Sequence, residues 1–319
     1  MSKSRPRILF IVDVPNWAHD LKTQNLARVL GNDYDIQKRY QTEVTAADLH
    51  EADLIVVYYW LQLERMKHLA SSFKQYSEKV LVGVCSNWEL ESERREPGLG
   101  ILREFARAVF VNNLFLYREC QPILDVQVFY TPNGVDTNFF QPAHHKELST
   151  TLRVGWAGSL ANHGPGYKGY HELIVPAVDA VDGVELITAA WEERRRRPDE
   201  MRVFYQSLDA YICASYTEGT PNPCLEAAAC GVPLLTTRVG NMPELVRHGA
   251  NGFFIERNLE DLTEKLRSLR DSPDLVLSLG QKLLEDIRPW DWSIRAQTYR
   301  QMFEEMLNGK AGGEGTSYS

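Results

Sequence analysis

The sequence lacks any long uninterrupted apolar segment. Its longest apolar run, residues 54–61, includes two tyrosines and one tryptophan. That run is far shorter than the roughly 18 residues that cross a bilayer. The first residues also lack the charged, apolar and small-residue order of a secretory signal. These absences predict a cytoplasmic protein with no transmembrane segment, and they leave peripheral association with a membrane surface open.

Paired cysteines and excess basic charge are missing as well. The chain has five cysteines, an odd number, and no C-x-x-C pair, which indicates free thiols in a reducing compartment. Its formal net charge is −8, from 43 acidic and 35 basic residues. This balance argues against a broadly basic surface, so we expect no nucleic-acid partner.

What is present fits an ordinary globular protein of two domains. The 319 residues are 44% hydrophobic and 24% charged, which is enough chain and apolar content for two separate cores. Short apolar runs alternate with segments of helical spacing in both halves. This alternation predicts an α/β fold built on parallel sheets.

The most informative stretch is residues 215–231, which read S-Y-T-E-G-T-P-N-P-C-L-E-A-A-A-C-G. Asn222 is a good helix N-cap, Pro223 suits the first helical position, and Gly231 can end the helix. The start of such a helix has free N–H groups and the positive end of the helix dipole. It is therefore suited to bind a phosphate or another anion.

Two carboxylates flank the start of this helix. Glu218 lies in the loop before it, and Glu226 lies about one turn inside it. One carboxylate can reach a group above the helix end while the other reaches hydroxyls beside it. An isolated pair of this kind equally fits a loop cap and a solvated helix residue, so the pair needs support from its surroundings.

That support comes from the spacing of several motifs. The E-x7-E pair, the G-V-P at 231–233 and the turn at 240–244 resemble the C-terminal domain of family 4 glycosyltransferases. Enzymes of that family are retaining, depend on nucleotide sugars and have the GT-B fold. The resemblance implies two doubly wound, Rossmann-like parallel-sheet domains that face each other across a cleft.

The resemblance also implies domain bounds. We expect an acceptor-side domain over residues 1–142 and a nucleotide-sugar-binding domain over residues 151–290. A last helix over residues 291–308 is expected to pack back on the first domain. Residues 309–319 are rich in glycine and are predicted to be a disordered tail.

The donor-binding residues follow from the same resemblance. The family has a G-R-x-x-x-x-K-G segment whose Arg and Lys hold the donor diphosphate; here Lys168 matches the Lys, and Ser159 stands at the Arg position. Glu226 is expected to accept hydrogen bonds from two ribose hydroxyls, and Glu218 to face the sugar. We expect Glu218 and Lys168 to be catalytic. The predicted donor site consists of Gly158, Ser159, Lys168, Glu218, Gly219, Thr220, Pro221, Asn222, Leu225 and Glu226.

The first domain departs from the family pattern. Asn16 and Trp17 stand where the family has a Gly pair, and Ser86 or Asn87 stands where it often has a His. Trp17 either forms a platform for a ligand or seals its loop onto the sheet. His19 either substitutes for the missing His or is a surface residue. The candidate acceptor or cleft residues are Asn16, Trp17, His19, Ser86 and Asn87.

Two polar features of the second half remain open. His163 lies in the same loop as Lys168 and would add another donor. The run E-E-R-R-R-R at residues 192–197 either attracts a phosphate or is a solvated turn. The segment after it is shorter than in the family, which leaves the nucleobase undefined.

The function implied is transfer of a sugar, as in a retaining hexosyltransferase, from a nucleotide-diphosphate sugar to an acceptor. The acceptor would be a glycan, a lipid-linked molecule or a small molecule. The nucleotide sugar is a co-substrate, and no metal or other cofactor is expected. Two alternatives stay open, namely a nucleotide-sugar epimerase of the same fold and a catalytically degenerate nucleotide-sugar-binding subunit.

Overall fold

The computed structural model describes residues 5–144, 150–161 and 166–309. The chain divides into two compact units. The first comprises Met1–Asn133 with Trp292–Ser319, and the second comprises Gly134–Asp291. Of the predicted disordered tail, residues 310–319 lie outside the described residues.

The boundary between the units falls earlier than the predicted end of the first domain at residue 142. The segment after Gly134 packs with the second unit, because the Val135 amide donates to the Trp290 carbonyl at 2.9 Å. Phe140 is buried, and its ring lies edge-on to that of Tyr205, with centroids 6.0 Å apart. The sequence prediction placed these residues in the wrong domain because turn chemistry alone does not show which core a segment joins.

The first unit has a six-stranded parallel sheet with helices packed on it. Its strands are β1 (Arg7–Val12), β2 (Asp35–Tyr40), β3 (Leu54–Val57), β4 (Val80–Val84), β5 (Ala108–Val111) and β6 (Gln127–Tyr130). Their order across the sheet is β2-β1-β3-β4-β5-β6. Its helices before residue 133 are α1 (Ala18–Leu30), α2 (Ala46–Glu51), α3 (Trp60–Arg65), α4 (Ala70–Gln75), α5 (Ser92–Phe105) and α6 (Leu114–Cys120).

The inner strands are continuous apolar runs because both faces of the sheet are covered. In β1, the side chains of Ile8 and Phe10 enter one core, and those of Leu9 and Ile11 enter the core on the other face. Strand β2 is different, since it is a partly exposed edge strand with a mostly polar sequence. The sequence analysis therefore did not identify it.

The second unit has a five-stranded parallel sheet. Its strands are β7 (Leu152–Gly158), β8 (Val184–Ala190), β9 (Ala210–Cys213), β10 (Leu234–Thr236) and β11 (Gly252–Phe254). Their order is β11-β10-β9-β7-β8. Its helices are α7 (Val175–Asp179), α8 (Pro198–Gln206), α9 (Asn222–Ala229), α10 (Met242–Leu245), α11 (Leu259–Asp271) and α12 (Pro273–Ile287).

The last helix, α13 (Trp292–Leu307), groups with the first unit. Its Tyr299 and Phe303 side chains are fully buried in the core that also contains Phe10. The Tyr299 hydroxyl donates to the Thr131 carbonyl at 3.1 Å, at the end of β6. The helix therefore completes a core that begins almost three hundred residues earlier in the chain.

Candidate functional site

The loops that carry Lys168 and Glu218 meet because of the strand order in the second sheet. Strands β7 and β9 are parallel neighbours, so the loops after them leave from the same edge of the sheet. The carboxyl edge of a parallel sheet is where ligands bind in such folds. The Tyr216 amide donates to the Tyr167 carbonyl at 2.8 Å and joins the two loops directly.

Lys168 and Glu218 form an ion pair at this edge. The Lys168 ammonium donates to Glu218 Oε1, and the Ser215 hydroxyl donates to the same oxygen at 2.7 Å. Burial lowers the pKa of Lys168, but the adjacent Glu218 carboxylate outweighs that effect and leaves the pKa above its ordinary value. Lys168 is therefore a fixed positive charge, held by one of the residues predicted to act with it.

Arg257 fixes the loop that carries Lys168. Its guanidinium donates to the Ala214 carbonyl at the end of β9 and to the Gly166 carbonyl at 2.7 Å. A longer bond of 3.4 Å reaches the Tyr167 carbonyl. The sequence analysis missed Arg257, because its partners are backbone carbonyls and leave no side-chain pattern.

Helix α9 begins at Asn222, and Pro221 is its N-cap. The predicted cap at Asn222 was therefore wrong by one residue, and Pro223 is the second helical residue. The Asn222 amide bonds to the Thr220 carbonyl at 3.0 Å, so a tight turn precedes the helix. At the other end Gly231 has a φ of +74°, the left-handed conformation that ends a helix.

Glu226 lies on α9 and is partly exposed. Its Oε2 accepts a hydrogen bond of 2.7 Å from the Tyr205 hydroxyl on α8. Burial raises the pKa of Glu226 to about 7, although the Tyr205 bond opposes the shift. Leu225, the preceding residue, is buried in the core of the second unit and anchors the helix.

A third loop, after β10, supports the Glu218 loop from behind. Gly240 has a φ of +51°, and a Cβ there would lie only 2.3 Å from the Gly219 carbonyl oxygen. Buried Asn241 donates to the Thr220 hydroxyl at 3.2 Å. The Thr237 hydroxyl donates to the Ser215 carbonyl at 2.8 Å. The Glu218 loop is thus fixed by backbone and side-chain contacts from the loop after β10.

Ser159 is not directed at Lys168. Its hydroxyl donates to Glu192 Oε1 at 2.5 Å, and the amides of Leu160 and Ala161 donate to the same carboxylate at 3.0 and 3.1 Å. The Leu160 amide and the Ser159 hydroxyl lower the pKa of Glu192 to about 2. Next to it, the Gly158 carbonyl accepts from the Trp191 amide at 2.9 Å. His163 lies outside the described residues.

A cavity of about 250 Å³ opens beside this loop. Its described lining consists of Leu160, Ala161, Gly166, Lys168, Gly169, Tyr170, His171 and Glu172. Lys168 is thus exposed to the cavity, while Glu218 and Glu226 are not part of this lining. The structure brings Lys168 and Glu218 together as a pair, but it does not place all three predicted residues around this cavity.

Two of the four arginines at residues 194–197 pair with nearby acids. Arg194 contacts Glu200 at 2.7 Å, and Arg197 contacts Asp199 at 2.9 Å. Both arginines are mostly exposed. These ion pairs favour the interpretation of the run as a solvated turn over its interpretation as a phosphate site.

In the first unit, His19 lies at the carboxyl end of β1. Its Nδ1 is 3.4 Å from Asp13 Oδ2, and its ring stacks on Tyr58 with centroids 4.5 Å apart. Burial would raise the pKa of Asp13, but hydrogen bonding to His19 outweighs it and the pKa is lowered. His19 is therefore oriented by two neighbours, and the contacts do not match a freely solvated surface residue.

The other candidates of the first unit have structural contacts. Asn16 has a φ of +59°, and its backbone N–H donates to Oδ2 of buried Asp20 at 2.7 Å. Trp17 is the N-cap residue of α1 and is partly exposed. The Ser86 hydroxyl accepts from the Trp88 amide at 3.3 Å.

Asn87 and Glu89 follow in the loop after β4. The Asn87 side-chain oxygen is buried without a hydrogen-bond partner in the described part of the chain. Glu89, which the sequence analysis missed, accepts from the amides of Cys85 and Ser86 at 2.7 and 3.1 Å. Burial raises the pKa of Glu89 to about 8. The only signal in the sequence is a glutamate five residues after the end of a buried strand.

The described residues contain neither a cluster suited to a metal ion nor a membrane-spanning helix. Within residues 5–144, 150–161 and 166–309, no group of three or more His, Cys, Asp or Glu is placed to hold a metal ion. Residues 33–35 read Asp-Tyr-Asp, a pattern that can bind a metal ion. Both aspartates form ion pairs instead, Asp33 with Arg300 and Asp35 with Arg7. None of the helices in those ranges is long and apolar enough to span a bilayer. Metal-independent chemistry remains a prediction.

Comparison with solved structures defines the class of fold. Sucrose-phosphate synthase from Thermosynechococcus elongatus superposes with a TM-score of 0.76 at 15% identity, over 96% of this chain and all of that one. Anabaena HepE in complex with UDP and glucose gives 0.72 at 16% identity, over 94% of this chain and all of the other. The chain therefore has the α/β architecture of two parallel sheets shared with GT-B glycosyltransferases, which confirms the predicted fold class.

Sequence comparison relates one segment of the chain to a particular family of enzymes. Residues 194–284 match the family model of glycosyl transferases group 1. An uncharacterized glycosyltransferase of Methanocaldococcus jannaschii is 31% identical over 113 residues, which are 35% of this chain and 32% of the relative. D-inositol 3-phosphate glycosyltransferase of Corynebacterium jeikeium is 29% identical over 112 residues, 35% of this chain and 27% of the relative.

The matched segment includes Glu218, Glu226 and α9. The chain spans about a third or less of the length of these curated relatives. The comparisons thus show a resemblance to group 1 glycosyltransferases for the segment that carries both glutamates. Membership of family 4, retention and the activity of the chain stay predictions.

Proposed function

We propose that this protein is a glycosyltransferase that moves a sugar from a nucleotide-diphosphate sugar to an acceptor, with retention and without a metal ion. The observation that carries the proposal is the Lys168–Glu218 pair. It lies at the carboxyl edge of the second sheet, in loops fixed by Arg257 and Gly240. Its Glu218 lies within the segment that matches group 1 glycosyltransferases.

In this proposal the donor diphosphate lies against Lys168. Negative charge grows on the leaving phosphate as the bond to the sugar breaks, and a fixed cation stabilises that charge more than it stabilises the bound donor. Glu218 releases part of its contact with Lys168 and accepts hydrogen bonds from sugar hydroxyls. Glu226 accepts hydrogen bonds from the ribose when its carboxyl group is ionised.

A partly buried lysine paired with a glutamate is well suited to this role. The pair keeps the ammonium charged, and Ser215 keeps the carboxylate oriented. The complex of the structural neighbour HepE with UDP and glucose also supports a nucleotide sugar as the donor. The acceptor and the sugar remain to be identified by assay.

The test is incubation with a panel of UDP, GDP, ADP and dTDP sugars, with products followed by mass spectrometry and NMR. Release of nucleotide with transfer or hydrolysis of the sugar, and with the anomeric configuration kept, supports the proposal. Lys168→Ala is expected to lower turnover by about two orders of magnitude through loss of leaving-group stabilisation. Lys282→Ala removes an exposed lysine of the same unit and should leave turnover unchanged.

Other results would point to the alternatives. Formation of an epimer identifies a nucleotide-sugar epimerase. Binding of a nucleotide sugar without any turnover identifies a degenerate binding subunit. Turnover of Lys168→Ala at the wild-type rate would show that the phosphate is held elsewhere.

A further inference from the structure

Three hydrogen-bond donors converge on one carboxylate in the loop after β7. The Ser159 hydroxyl and the amides of Leu160 and Ala161 all donate to Glu192, at 2.5 to 3.1 Å. Glu192 follows β8, the strand next to β7. We refer to these three donors as the Ser159 cradle. Consecutive backbone amides that point into one concavity, together with a hydroxyl, form a common anion-binding arrangement.

The occupant of the cradle is itself exposed. Glu192 lies on the surface, so its carboxylate can leave the three donors and enter water without uncovering a core. Among the described residues, Glu192 forms no ion pair with a cation, and its charge is held by the dipoles of two backbone amides and one hydroxyl. A carboxylate and a phosphate offer the same kind of acceptor oxygen, but a diphosphate carries more charge and more oxygens.

The position of the cradle connects it to Lys168. Leu160 and Ala161, whose amides form two of its donors, line the same cavity of about 250 Å³ as Lys168. A group bound in that cavity would therefore contact Lys168 and lie next to two of the residues whose amides form the cradle. One anionic ligand with several oxygens, such as a diphosphate, is the chemistry that uses both.

The Ser159 cradle belongs to the donor site already predicted from the sequence. We propose that Glu192 closes this cradle in the free chain, and that the donor diphosphate displaces Glu192 when it binds. This inference rests on the proposed function, because the diphosphate is that of the nucleotide sugar. Glu192 then acts as an internal competitor that weakens donor binding. The apparent affinity of the site is reduced by the fraction of molecules in which the cradle is closed.

The test is the affinity of the full chain for inorganic pyrophosphate and for UDP, measured by calorimetric titration. Glu192→Gln removes the competing charge, and Glu192→Ala also removes the side-chain oxygens. Both should bind pyrophosphate roughly tenfold more tightly, which corresponds to a cradle that is open about a tenth of the time in the wild type. Glu193→Gln is the matched control, because it removes the same charge one residue away and leaves Glu192 in place.

A fourth variant checks the cradle itself. Adding Ser159→Ala to Glu192→Ala should reverse part of the gain, because one of the three donors is lost. An equal gain in Glu193→Gln would show a general charge effect and overturn the proposal. Unchanged or weaker pyrophosphate binding in both Glu192 variants would overturn it too, since Glu192 would then support the site.

The test also separates this proposal from the proposed function. Pyrophosphate binding needs neither a sugar nor an acceptor. A gain in the Glu192 variants together with no sugar transfer would sustain the cradle and refute the glycosyltransferase. Transfer without any difference between Glu192→Gln and the wild type would sustain the enzyme and refute the cradle.

Discussion

Glu226 shows at the residue scale how surroundings set the charge of a predicted binding group. Burial raises its pKa to about 7, and the Tyr205 hydroxyl is its hydrogen-bond donor. A neutral carboxyl has less acceptor capacity than a carboxylate, which can accept from two ribose hydroxyls at once. Nucleotide binding should therefore depend on pH near neutrality.

We expect the affinity for UDP to increase between pH 6 and pH 8 in the wild type, because Glu226 becomes ionised over this range. Glu226→Ala should weaken binding by about 1–3 kcal/mol at pH 8 through lost charge-assisted hydrogen bonds. Titration calorimetry at three pH values measures both effects. Glu226→Gln serves as control for protonation of the ligand's own phosphate, and an equally steep pH dependence in that variant would contradict the assignment.

Lys22 is a second residue whose surroundings determine its charge. It is 3% exposed, and its ammonium lies 5.1 to 5.9 Å from the ring centroids of Tyr299, Tyr58 and Phe110. Burial lowers its pKa from 10.5 to about 8. Between pH 8 and 10.5 the unfolded chain holds the proton more tightly than the folded chain, so stability rises with pH in that range.

Lys22→Met should therefore stabilise the protein at pH 7, by roughly 1–3 kcal/mol in the free energy of unfolding. The gain should fade as the pH rises from 8 to 10.5 and disappear above that range, where the lysine is neutral in both states. Denaturant unfolding at pH 7 and pH 10 measures it. Lys38→Met is the contrasting control, since Lys38 pairs with buried Asp20 and its loss should destabilise the protein. Destabilisation by Lys22→Met at pH 7 would mean that the three rings stabilise the cation fully.

At the scale of elements, the Glu218 loop depends on the loop after β10. Gly240 is close to the Gly219 carbonyl and has a left-handed conformation. Asn241 and Thr237 add hydrogen bonds to the same loop. A side chain at position 240 would therefore move Glu218 without touching any ligand.

Gly240→Ala should lower donor affinity and turnover together and destabilise the second unit by about 1–3 kcal/mol, because strain and a steric clash act at one position. Gly249→Ala is the matched control, since Gly249 has a φ of +74° and open space around its Cα. It carries the strain without the clash. Unfolding and donor titrations on both variants separate the two effects, and equal donor affinities would show that the Glu218 loop does not depend on Gly240.

At the scale of the whole molecule, the chain returns to its first unit through α13. Tyr299, Met302 and Phe303 are fully buried in a core with strands β1, β3 and β5. These contacts are made between residues at opposite ends of the sequence. The first unit is therefore incomplete without the last helix.

Phe303→Ala should destabilise the first unit by about 3–5 kcal/mol, because it leaves a cavity in a closed core. Hydrogen exchange followed by mass spectrometry should show lost protection in β1 and β3. Ile294→Ala, on an exposed position of the same helix, should change stability by less than about 0.5 kcal/mol. Equal loss of protection in β7 and β9 would show that the two units unfold as one.

The α/β class, most of the buried strands and the residue types of the candidate site could be predicted from local sequence alone. Strands such as β1 and β9 are apolar on both faces, so their local sequence is sufficient to identify them. The spacing of Glu218 and Glu226 is likewise a local property, set by one loop and one helix. For these features the information lies within a few neighbouring residues.

The partners of the site residues, in contrast, become known only from the folded chain. It paired Lys168 with Glu218, placed Arg257 on three carbonyls, and set Glu192 in the Ser159 cradle. It also assigned residues 134–142 to the second unit. These outcomes depend on strand order and on contacts with backbone groups, and every residue carries the same backbone groups, so no local pattern records them.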